Sequence, residues 1–325
     1  MRGNRLSYVL LLVLLILGLA RNSRAQNSRT DDRDPDAVTL RASGAKIDVT
    51  LPGDSMKLTR QQLLGWVQGA ANAVSTYYGR FPVPHLTLQI RSTNGSSIRH
   101  GVTYAKDGGL ILISVGRDAD LDETKDDWVL VHEMIHLAFP SMPDDQHWIE
   151  EGISTYVEPV ARLHVGLMSL DEFWRTFVRD MPKGEPAEGD QGLDNTHTWG
   201  RTYWGGAMFC LLADVRIRER TGNRKGLQDA LRGILNGGGN ITKDWDIEKA
   251  LALGDKATGT TVLRDLYKDM RDKPAPADLD ALWKKLGVEL KDRAVTFDDK
   301  APEANIRKTM ASPGSPSSST SHQAN

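Results

Sequence analysis

His132-Glu133-Met134-Ile135-His136 is the stretch on which the reading of this chain turns. It follows Asp126-Asp127-Trp128-Val129-Leu130-Val131, a run that reads as helix, and neither Gly nor Pro interrupts residues 122–139. On a helix, residues four apart lie one turn above each other on one face. Two imidazoles so placed can reach one zinc ion at about 2.0–2.1 Å. Glu133 stands beside the first of them, close enough to hold water at that ion and take its proton. The plain alternative is a half-buried helix with two polar histidines and a solvated glutamate.

A catalytic zinc site usually takes three protein ligands and keeps one position open. The helical pattern breaks at Pro140-Ser141-Met142-Pro143, passes Asp144 and Asp145, and resumes as Trp148-Ile149-Glu150-Glu151-Gly152-Ile153-Ser154-Thr155-Tyr156. A break and restart suits two helices, the second returning past the first. On spacing alone Glu150, Glu151 and Glu158 all compete for the third position. Glu151 shares a helical stripe with Thr155 and Glu158, whereas Glu150 falls about 100° away around the helix. Glu158 suits a carboxylate that orients a histidine from behind, although Pro159 beside it can turn it away.

His-Glu-Met-Ile-His followed by Trp-Ile-Glu-Glu-Gly-Ile-Ser-Thr-Tyr resembles the gluzincin metallopeptidases of the peptidase MA-like superfamily, especially their aminopeptidase-like branches. The resemblance implies a catalytic Zn²⁺ held by His132, His136 and Glu151, with Glu133 as general base. Glu151 lies 15 residues beyond His136, a shorter interval than in the main aminopeptidase family. Arg201-Thr202-Tyr203-Trp204-Gly205-Gly206-Ala207-Met208 is similar to a Tyr-x-x-Gly-Ala-like segment that opens a helix in related enzymes. By that resemblance Tyr203 is catalytic, its phenol supporting the tetrahedral intermediate; a phenol donor beside zinc is chemically suited to a developing oxyanion. The Gly-Ala-Met-Glu-Asn-type segment with which main-family aminopeptidases hold a free amino terminus does not appear. Glu150, Asp190 and Asp194 are the candidates for that task. The implied partner is a peptide or protein substrate, the implied activity zinc-dependent peptide hydrolysis, in one form as an aminopeptidase. The competing class is an inactive, zinc-stabilised binding or scaffold protein of the cell envelope, with His147 as a fourth ligand closing the site.

Arg2 and Arg5 precede a 13-residue apolar run at 8–20, and Ser23-Arg24-Ala25 offers small residues before Gln26. This reads as a signal peptide over residues 1–25 and a secreted or periplasmic protein, since the run is short for a bilayer span. A retained N-terminal anchor is the alternative; otherwise no stable membrane insertion is expected. The formal charge of −2 gives no reason to expect nucleic acid as a partner. With Cys210 as the only cysteine, no intrachain disulfide can form and the core must carry the stability.

The expected fold class is α+β: a gluzincin-like lobe over 26–165 bearing the motif helix, then a mainly helical lobe over 166–310 completing the cleft. A disordered tail is expected over 311–325, which is Ser/Pro-rich without hydrophobic pattern. Residues 38–51 suit a strand or hairpin, 63–78 a helix capped by Thr59, and 86–90 and 110–115 two strands. In related peptidases a strand bordering the cleft pairs with substrate backbone, a role open to residues 110–115 by resemblance, with a plain sheet strand as the default reading. Helices are expected over 170–178, 203–220, 245–253, 262–270 and 278–286, with Gly237-Gly238-Gly239 as a turn. His197, on a polar loop before Tyr203, is a candidate for substrate or oxyanion contact. Trp148, Tyr156, Trp199 and Trp204 are candidate pocket walls, with core packing the default for each.

Overall fold

Alternation of apolar residues builds the sheet. Leu86, Leu88 and Ile90 on one strand, and Ile111, Ile113 and Val115 on another, bury one face while their neighbours stay partly exposed. The structure, a computed structural model, describes residues 37–53 and 55–313; the expected signal segment and residues 314–325 of the expected tail lie outside them. The chain opens with a hairpin, β1 (Ala37–Ala42) and β2 (Ala45–Thr50), followed by α1 (Arg60–Tyr78). Thr59 caps α1 reciprocally: its hydroxyl accepts from Gln62 N at 3.3 Å and Gln62 Oε1 accepts from Thr59 N at 2.8 Å. Three strands follow, β3 (His85–Thr93), β4 (Ile98–Tyr104) and β5 (Leu110–Gly116).

The five strands lie in the order β1-β2-β3-β5-β4, with β2, β3 and β5 parallel and the two outer pairs antiparallel. This decides between the two readings of residues 110–115 in favour of a plain sheet strand. Residues 110–115 form β5, an inner strand bonded on both sides, so its edges are spent; among the described residues β4, beside it, is the edge strand at that end of the sheet. Sequence pattern did not mark β4, because half of its residues face solvent and a bulge at His100 breaks its alternation.

The motif helix starts later than expected. A short α2 (Leu121–Asp126) ends at Asp127, and α3 runs Val129–His136. Asp127 is the reason: its carboxylate accepts from Val129 N at 2.9 Å, Leu130 N at 3.1 Å and Trp66 Nε1 at 3.0 Å. It thus satisfies the orphan donors of α3 and ties that helix to α1. A 3-10 turn (Asp144–Gln146) leads into α4 (His147–His164), which continues past Pro159.

Thereafter the chain is mainly helical: α5 (Leu170–Asp180), α6 (Gly206–Thr221), α7 (Leu227–Asn236), α8 (Ile247–Thr258), α9 (Val262–Met270) and α10 (Leu279–Leu286). A small hairpin, β6 (Val288–Lys291) and β7 (Ala294–Phe297), precedes α11 (Ala304–Met310). Residues 203–205, expected as the first turn of the helix over 203–220, belong instead to a π-helical turn over Gly200–Gly205 ahead of α6. The mixed N-terminal lobe thus carries the two motif helices and a largely helical region follows. Among the described residues no helix is long and apolar enough to cross a membrane.

Helices α4 and α6 meet backbone to backbone. A Cβ on Gly152 would stand 2.3 Å from Gly206 C, and one on Gly206 would stand 2.3 Å from Trp148 O. Gly152→Ala therefore forces the two helices apart and is expected to lower stability by about 1–3 kcal/mol, measured by urea unfolding.

His164 anchors α11, with its Nε2 3.1 Å from Met310 O. Burial depresses its pKa, and the nearby Arg218 charge adds to that against the Met310 bond. Because the unfolded chain then binds the proton first, stability is full above about pH 6.5 and falls as pH drops below it. His164→Phe is expected to flatten that part of the stability–pH curve.

Candidate metal centre

Helices α3 and α4 bring His132, His136 and Glu151 together, with their ligand atoms all within 4.8 Å of one another. Glu151 Oε2 lies 3.1 Å from His132 Nε2 and 3.7 Å from His136 Nε2. Ligands about 2.0–2.1 Å from a tetrahedral ion stand ~3.3 Å apart, so the observed separations bracket a zinc site. The donor set of two imidazoles and one carboxylate also suits zinc better than Mg²⁺ or Ca²⁺, which favour all-oxygen shells. Burial drives the His136 pKa down to about 3, keeping the ring neutral and its lone pair free. Burial alone would raise the Glu151 pKa, but hydrogen bonds from His132 and His147 outweigh it and hold the carboxyl ionised.

His147 is not a fourth member of this cluster. Its Nδ1 lies 2.8 Å from Glu150 Oε2 and its Nε2 lies 3.1 Å from Glu151 Oε1. Both ring nitrogens are thus engaged by carboxylates, and those two bonds raise its pKa to about 10. Clamped by Oε1, Glu151 presents Oε2 to the two histidines. Glu158, expected on the same stripe, is buried and bonded to Arg162 Nη1 at 3.0 Å. Its pKa is pushed up to about 7, with burial as the main cause, and it sits in the field of His132 without a hydrogen bond to it.

Glu133 is buried at the floor of a cleft whose cavity is about 830 Å³. Strand β4 presses on it: a Cβ at Gly101 would stand 2.3 Å from Glu133 Cγ. The bulge at His100, with φ +51°, sets that approach. Thr103 Oγ1 lies 2.6 Å from Glu133 Oε2 and 2.9 Å from Glu133 O, so its hydroxyl donates to the carboxylate. Burial raises the Glu133 pKa and the Thr103 bond opposes it. Gly101 and Thr103 gave no signal in the sequence; a Gly-x-Thr on an unmarked strand carries none until its pairing is known.

Tyr203 lines the same cleft from the π-helical turn. Its ring stacks at 6.3 Å on His132 and at 5.9 Å on Trp199, forming an aromatic column. Burial pushes its pKa up to about 12, and the Glu151 and Glu133 charges add to it. Trp128, which also gave no signal in the sequence, meets His132 edge-on at 5.5 Å while half exposed at the cleft mouth.

Other candidates fall elsewhere. His197 is exposed and outside the cleft lining. Trp148 is buried and donates to Asp194 Oδ1 at 2.7 Å, while Tyr156 donates to Asp214 Oδ2 at 2.8 Å. Both are core residues, and Trp204 is half-buried beside Lys183. Asp194 also accepts from the Tyr267 hydroxyl at 2.7 Å, and Asp190 pairs with Arg201 at 2.8 Å, so neither serves the cleft.

No protein-family model and no curated protein matches the chain. Among solved structures it is similar to an aminopeptidase N family protein from Idiomarina loihiensis, with TM-score 0.60 and 12% identity over 82% of this chain and 52% of that one. An M1 zinc metallopeptidase from Deinococcus radiodurans aligns at TM-score 0.44 and 13% identity, over 74% of this chain and 52% of its own. The chain spans about half the length of these structures. The chain shares the fold of the first of these at low identity, and its described residues include a His-His-Glu cluster able to hold a metal ion.

Removing the clamp tests the geometry. His147→Ala is expected to weaken zinc binding by about 10–100-fold in a chelator competition, while His147→Gln, which can still donate to Glu151, retains most of the affinity.

Proposed function

We propose that this chain hydrolyses peptide bonds, with zinc held by His132, His136 and Glu151 and with Glu133 and Tyr203 as its catalytic residues. The observation that carries this reading is the placement of a buried carboxylate and a protonated phenol around one three-ligand cluster in an open cleft. Zinc bound there supplies Lewis acidity, polarising a carbonyl and making water more acidic. Glu133, steadied by Thr103, orients the attacking water and accepts its proton. Tyr203 remains protonated at neutral pH and donates to the oxygen on which charge develops. Cleavage adds hydroxyl to the carbonyl carbon, breaks the C–N bond and returns the proton from Glu133 to the leaving nitrogen.

The engagement of both His147 nitrogens by carboxylates speaks against a closed, purely structural site. Action outside the cytoplasm is the compartment we propose, on the apolar run at 8–20 and Ser23-Arg24-Ala25.

Glu133→Gln is expected to keep about one zinc per chain, by metal analysis, while hydrolysis drops about 10²–10⁴-fold. Tyr203→Phe is expected to lower kcat by about 10²–10³-fold with little change in KM. Undiminished cleavage by Glu133→Gln would reject this mechanism.

A further inference from the structure

Building on the peptidase reading, we infer that the cleft takes the interior of an extended peptide, not its amino terminus, with bulky apolar side chains flanking the cut. An aminopeptidase holds the substrate ammonium with carboxylate or carbonyl oxygens about one residue from the metal, and an uncommitted carboxylate is the strongest such partner. Among the described residues the cleft lining contains three carboxylates, and each is engaged. Glu133 takes the Thr103 hydroxyl. Glu151 lies between His132 and His147. Glu150 accepts from Met142 N at 3.0 Å and pairs with His147 at 2.8 Å.

The shape of the cleft agrees. Residues 98–105 line it along the free edge of β4, and Gly101 and Thr103, which face Glu133, sit midway along that stretch. Three lining residues precede Gly101 and two follow Thr103, so the groove passes the catalytic carboxylate on both sides. At about 3.4 Å per residue, β4 offers roughly 20 Å of unpaired backbone to an extended chain. A site built for a terminus would be walled off within one residue on one side.

The rim indicates what the side chains are. Val102, Tyr104 and Trp128 are among the few large hydrophobic residues left exposed, at 39%, 47% and 51%, and all three line the cleft. Trp199, 60% exposed, stacks behind Tyr203. Apolar surface gathered at the mouth of a polar site loses water when bulky apolar residues cover it.

The test uses peptides of about ten residues, long enough to cover β4. One is acetylated and amidated with Phe and Leu around its central bond; a second has the same ends but Ser and Gln there; a third is the apolar peptide with a free amino terminus. Binding is measured by fluorescence polarisation on zinc-loaded Glu133→Gln protein, and cleavage by wild type is read by mass spectrometry. The blocked apolar peptide is expected to bind about tenfold more tightly than the polar one, with acetylation altering affinity by less than about twofold, and to be cut internally. Trp128→Ala and Tyr104→Ala, both on exposed residues, are expected to weaken that binding about tenfold each without changing zinc content. Binding that requires the free ammonium, single-residue losses from the amino end, or equal affinity for the polar peptide would overturn the inference. If the blocked apolar peptide binds but wild type cuts nothing, the hydrolysis reading fails and the assignment of the cleft stands.

Discussion

The contact between Gly152 and Gly206 sets the distance between α4 and α6, and the site inherits its dimensions from it. With no side chain on either residue, the two backbones come close enough that a single methyl would overlap carbonyl and Cα atoms. Glu151 is the residue before Gly152, so its carboxylate starts from the crossing point. Tyr203 lies three residues before Gly206, in a turn wound more loosely than an α-helix. That turn swings the phenol toward His132 while α6 continues into the core, a use of π geometry common where a functional side chain must be re-aimed. The glycines therefore relate a residue of one helix to a residue of another far more tightly than side-chain packing would.

Polar groups behind the site make that geometry stiff. Asp127 closes the first turn of α3 and reaches Trp66 on α1, so the helix that presents His132 and His136 cannot rotate freely. His147 holds one oxygen of Glu151 and Thr103 holds one oxygen of Glu133. Each carboxylate thereby has one oxygen fixed by a neighbour, and Glu151 turns its other oxygen to the two histidines. Burying these charges without partners would cost several kcal/mol apiece, so the partners both permit the burial and choose the rotamer.

How much of this was legible depended on how local each signal is. The i,i+4 histidines and the intervening glutamate are read directly from helical geometry, and residues 132–136 do form one helix. The capping pair of Thr59 and Gln62 is equally local. Spacing left Glu150 and Glu151 both open, with the helical stripe and the family resemblance favouring Glu151; the structure separates them by what each touches. Long-range pairing was beyond reach. Alternation at 110–115 marked a buried strand, and burial on both edges is the property that prevents it from bordering a cleft. The strand that does border it, β4, looks like loop in sequence, since an edge strand with a bulge has little need to alternate.

The same point explains why the carboxylate candidates had to be revised. Asp190 and Asp194 lie near Tyr203 in sequence, yet a charge near a site is useful to a substrate only if no nearer partner claims it. Asp190 faces Arg201 and Asp194 faces Trp148 and Tyr267, so both stabilise the wall that carries the π-helical turn. Their charge is already neutralised or hydrogen-bonded within the protein, and drawing it toward a ligand would strand a buried guanidinium or indole. What the cleft leaves unclaimed is the edge of β4 and the apolar faces of Val102, Tyr104 and Trp128. Recognition by backbone pairing and apolar contact needs no chain end. The committed polar groups of the surrounding wall and the open strand edge thus support the proposed substrate from opposite directions.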